Sequence, residues 1–143
     1  MKIAFTISRI LLGLMFVAAG LGGFLIFAHP PAAPAGLAGA FQIVFFQSGW
    51  VLFVDGVELS AGVLPLTNRL VPLALTLLGA VIANILVFHV TMMRAGLPVA
   101  LVVTLLWALV ALPFRSKFIS LFAQRAELPE SGRPSLQLDH ARS

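Results

Sequence analysis

Asp55 and Glu58 stand in the apolar segment WVLFVDGVELSAGVLPL, which has the character of a membrane-spanning stretch. A charged side chain at the centre of a bilayer helix costs roughly 3 kcal/mol by insertion scales. Carboxyl groups kept there are read first as chemistry, as acids that hold or pass a proton. Their i, i+3 spacing puts both on one helix face, pointing together towards a bundle interior. One basic residue, Arg9, lies in the preceding apolar segment. Counted at about 1.5 Å per residue from the inner ends of the two segments, Arg9 and Glu58 fall at matching depths, and an ion pair between antiparallel neighbours is expected. Asp55 lies one turn higher, a second acid with no second buried base in the sequence.

Asn84 falls in the outer half of the third apolar segment, and His89 near its outer end at the level of His29. With Arg9, Glu58 and Asp55 they trace a candidate ladder from the inner third to the outer surface. In a functional reading the ladder is a proton path or the lining of a pocket, with His89 passing protons at the outer mouth. In a structural reading Arg9 and Glu58 neutralise each other, Asn84 bridges helices and His89 snorkels to the interface. Trp107, at mid-depth in the fourth segment, offers a flat surface for a ligand ring or for packing. His29, beside two prolines in a loop, reads as incidental.

Other chemistries lack their residues. The chain has 0 cysteines, which removes disulfides, thiolate nucleophiles and dithiol exchange. Three histidines far apart give no metal site, and neither a phosphate-binding Gly-rich loop nor a Ser-His-Asp arrangement is present. The formal charge is +4, but the bases sit at segment ends, where they set topology; nucleic acid is not an expected partner.

The elements that position these residues follow from composition. Of 143 residues 60% are hydrophobic and 10% charged, against about 25% charged in a soluble domain. This predicts an all-α integral membrane protein. At about 20 residues per crossing, the length fits a four-transmembrane-helix bundle and one tail. The expected spans cover about residues 3–28, 48–66, 70–93 and 97–114, within one domain of residues 1–125. A cleaved leader competes for the first span, since Ala33-Pro34-Ala35 resembles a small-residue cleavage site. The 19 apolar-segment residues after Arg9 favour a retained helix. The connection 29–46 is apolar enough in its second half to form a short interfacial helix, and RSKFISLFAQR reads as a basic amphipathic extension along the inner surface. A polar, mobile tail is expected over 126–143. Small residues four apart, Ala19 and Gly23, Gly56 and Ser60, Gly79 and Ala83, predict close helix approach. Lys2, Arg69, Arg115, Lys117 and Arg125 fall on one side and Arg94 on the other, which places both termini in the cytoplasm.

The stretches RILLGLMFVAAGLGGF, VELSAGVLPLTNRLVPLALTLLGAVIANILVFH and AGLPVALVVTLLW resemble the DoxX family of small bacterial inner-membrane proteins, over about residues 3–122. The resemblance carries over Arg9, Glu58, Asn84 and His89, and implies a quinone-linked role in a membrane redox system. Asp55 departs from the family pattern, as does Gly22-Gly23 where a lysine or polar residue is usual. Two classes of function fit these residues. In the first, Asp55 and Glu58 manage protons, Arg9 sets their charge, and Asn84 or His89 hydrogen-bonds a quinone, with chemistry completed by a protein partner. In the second, the chain is a non-catalytic membrane scaffold or an accessory subunit of a larger complex; a protein partner or a homo-oligomer is expected in either. A small proton-coupled transporter is a third reading.

Overall fold

The structure, a computed structural model, describes residues 2–123. Within them the chain is helical: α1 (Lys2–Ile26), α2 (Leu37–Gln47), α3 (Trp50–Leu66), α4 (Val71–Thr91), α5 (Leu97–Ala111) and α6 (Arg115–Ala123). Arg125 and the expected tail at 126–143 lie outside the described residues.

Local sequence explains where the helices stop. Pro30, Pro31 and Pro34 cannot continue α1, and the loop they form is held by Gln42 Nε2 donating to the Pro31 carbonyl at 3.0 Å. Pro72 and Pro98 sit in the first turns of α4 and α5, where a missing N–H leaves no ladder bond unmade. Ser48 and Gly49 separate α2 from α3. Gly49 takes φ 71°, a left-handed conformation that costs glycine little, and the two helices meet at 85°.

α1 packs along α3, α3 along α4, α4 along α5, and α5 returns to α1. The apolar core between them includes Leu12, Phe16, Ala61, Leu75, Leu78, Ile82, Val103 and Val110. Phe5 and Phe114, with ring centroids 6.2 Å apart, tie the start of α1 to the turn after α5.

The outward faces are as apolar as the core. Ile3, Leu25, Phe53, Val87 and Leu105 are all exposed, a surface suited to lipid and not to water. α1, α4 and the stretch Arg94–Ile119 are each long and apolar enough to cross a membrane, and the bent α2–α3 pair brings the number to four if it counts as one crossing. The chain has the character of a multi-pass membrane protein. α3 alone, with 17 residues, is about 25 Å long, short of the roughly 30 Å hydrocarbon core.

Candidate functional site

Both acids lie on the buried face of α3, in company with Val51, Ala61, Gly62 and Pro65. Asp55 is 6% exposed and Glu58 8%. The surface that Asp55 meets belongs to α1. A methyl group on Gly13 would come within 2.8 Å of the Gly62 carbonyl oxygen, and one on Gly20 within 2.6 Å of the Asp55 carbonyl oxygen and 2.8 Å of the Leu59 nitrogen. Rising along α1 therefore means descending along α3: the helices are antiparallel, backbone close to backbone. Glycines allow that approach because they project nothing into the gap.

At the top of this seam the Asp55 carboxyl lies against Gly23, filling the space that a side chain at position 23 would take; Cγ and both oxygens are involved. Asp55 Oδ2 is buried and has no hydrogen-bond partner. Among the described residues no basic side chain bonds this oxygen. α2 and α5 carry no titratable residue, and α4 carries only His89 in its last turn.

The expected ion pair between Arg9 and Glu58 does not form. Arg9 instead donates from Nη1 to the carbonyl oxygen of Pro65, and its buried Nε has no partner. The register supplies the reason. Depths counted from segment ends assume that Ile3 and Leu66 are level, yet Leu66 meets Gly13. α1 overhangs α3 by about three turns, so Glu58 lies near the level of Gly20, about 16 Å above Arg9. Arg9 thus serves the last turn of α3, where carbonyls lack intrahelical partners and a cation is favoured by the helix dipole.

The remaining sequence-predicted residues do not converge on the acids. Asn84 is exposed and donates from Nδ2 to the Ala80 carbonyl one turn back, at 2.9 Å. The His89 ring packs against Gly96, and its Nδ1 lies 3.0 Å from the Met93 carbonyl, which requires the Nδ1–H tautomer as donor; it closes the turn between α4 and α5. Trp107 donates from Nε1 to the Leu75 carbonyl at 2.8 Å, its ring lying over Gly79. His29 is exposed in the loop after α1. Two open surface concavities, one beside Thr67, Arg69 and Leu70 and one beside Leu52, Gly56 and Leu77, include neither acid. Among the described residues no three His, Cys, Asp or Glu side chains gather into a metal site.

Sequence reasoning missed Gly20 and the Pro65 carbonyl as members of the site. Gly23 was visible as one of a small-residue pair with Ala19 and as part of the Gly22-Gly23 departure from the family pattern, and Ala19 proves to be exposed. The better signal was the alignment of Gly13, Gly20 and Gly23 on one face of α1, spaced seven and three residues apart.

No family model matches the chain, and no curated protein or solved structure matches it either.

Proposed function

We propose that this chain is a small inner-membrane subunit of DoxX type, a four-helix transmembrane bundle whose acid pair hands protons to a quinone-linked redox system. One observation carries the reading: Asp55 Oδ2 is buried in the α1–α3 seam with no hydrogen-bond partner. Retaining such a group adds nothing to stability, because a buried acid pays its desolvation penalty whether or not it is used. An ionisable residue in this position is a functional site by default. Glu58, one turn along the same face, is the second member of a two-step relay.

Asn84, His89 and Trp107 point elsewhere, so in this reading the chain supplies the acids and a partner chain helps to hold the quinone at the lipid-facing surface. α2 lies at the outer interface. Both termini are cytoplasmic, the arrangement favoured by Lys2, Arg69, Arg115 and Lys117 on one side against Arg94 on the other.

A second reading, a non-catalytic scaffold, is favoured by a different set of observations. Arg9, His89 and Trp107 each turn one nitrogen to a backbone carbonyl of the bundle itself. The quinone content of protein purified gently from native membranes, read by solvent extraction and mass spectrometry, separates the two. Near-stoichiometric quinone in the wild type, lost in an Asp55→Asn/Glu58→Gln variant of equal abundance, is the expected result. Quinone absent from both proteins, or equal in both, would leave the scaffold.

A further inference from the structure

The acids are not equivalent in their surroundings. Glu58 is buried on α3 with no α1 glycine recorded against it, whereas the Asp55 carboxyl is seated on one residue of the opposite helix. A methyl group on Gly23 would overlap Asp55 Oδ2, Cγ and Oδ1. The neighbouring Gly22 offers the contrast: a methyl group there meets nothing within 4 Å. Gly20, one turn below, meets the backbone of α3 and therefore sets how near the helices come. Gly23 meets a side chain, and so sets where a carboxyl goes.

We propose that Gly23 is the positioning residue for Asp55: the missing side chain creates the seat that holds this carboxyl inside the seam, with Oδ2 buried and unpartnered. The proposal deepens the proton-handling reading, since it names what holds one acid in place. The physics is that of packing. A helix pair this close tolerates an added methyl group only if something moves, and here what must move is the acid itself. A displaced Asp55 has two places to go, out to the lipid face beside Gly22 or along the seam towards Glu58, and either changes its reactivity.

The test uses the full chain in lipid nanodiscs, with two readouts on each variant. The first is the rate at which a lipid-soluble carbodiimide labels Asp55 and Glu58. In that reaction the protonated carboxyl adds across one C=N bond and the adduct rearranges to an N-acylurea, so the whole reagent mass appears on the residue with no leaving group. The second is thermal stability. Gly23→Ala is expected to change the Asp55-to-Glu58 labelling ratio severalfold and to lower the melting temperature by about 5 °C. Gly22→Ala is expected to change neither.

The deciding comparison is Gly23→Ala made in an Asp55→Ala background, where the overlapping atoms are gone. There the loss of melting temperature should largely vanish. An undiminished loss in that background, or an unchanged labelling ratio in Gly23→Ala, overturns the proposal. Should Gly23→Ala alone fail to fold, folding of the double variant supports the seat and its failure overturns it. Coupling between positions 23 and 55 with neither acid labelled in the wild type would support the seat and remove the proton-handling reading.

Discussion

The α1–α3 and α4–α5 seams are built from the same apolar material and treat their polar groups in opposite ways. Between α4 and α5, Trp107 brings one indole N–H into the core, and that N–H finds the Leu75 carbonyl. Gly79 makes room for the ring, and His89 closes the connecting turn through the Met93 carbonyl. The two ring nitrogens named there each have a carbonyl partner that rewards their burial. Between α1 and α3, glycines bring the backbones close and the Asp55 carboxyl enters with an oxygen that has no partner. Satisfied polar groups act as joints, whereas an unsatisfied one needs another reason to be there. The difference separates structural polar residues from candidate functional ones in a chain where both kinds sit in apolar helices.

The comparison breaks first at Gly20. A Gly20→Val side chain would press on the Asp55 carbonyl and the Leu59 nitrogen, backbone atoms that cannot swing aside. The expected loss is about 3 kcal/mol, the upper end of ordinary overpacking, read from unfolding in a mild-to-denaturing detergent titration. If the variant unfolds like the wild type, the seam is looser than backbone contact implies.

Trp107→Phe probes the other seam. It removes the indole donor and leaves the ring partly filled, at an expected cost of about 1 kcal/mol in the same titration. Loss of no stability at all would mean that the bond to Leu75 is not a joint.

The smallest effect on stability is expected at the acid. Asp55→Asn should leave the unfolding midpoint within about 0.5 kcal/mol of the wild type, or raise it, because no partner is lost and the ionisable group is removed. A fall as large as that of Trp107→Phe would make Asp55 a structural joint, and the contrast between the seams would disappear.

Much of this was legible in the residues. Periodicity is not needed to find helices that are apolar all round, and the expected segments 3–28, 70–93 and 97–114 lie close to α1, α4 and α5 with its following turn. Prolines and the turn Thr67-Asn68-Arg69 marked the connections. Asp55 and Glu58 stood out because carboxyl groups are rare in such segments. The 85° bend at Ser48–Gly49 was not legible, since a Ser-Gly pair signals a break without its angle. Nor was the fate of Asn84, because an amide bonded to its own helix and one bridging two helices look alike in sequence.

Composition alone determined the class of this protein, its helices and the two acids that any account of it must explain, because hydropathy and charge act residue by residue. Who meets whom was decided by the tertiary structure. Register along the α1–α3 seam is set by where glycines let backbones touch, and a shift of a few residues moves a side chain by several ångströms. That shift took Arg9 from Glu58 to the carbonyl of Pro65, and set the carboxyl of Asp55 on Gly23.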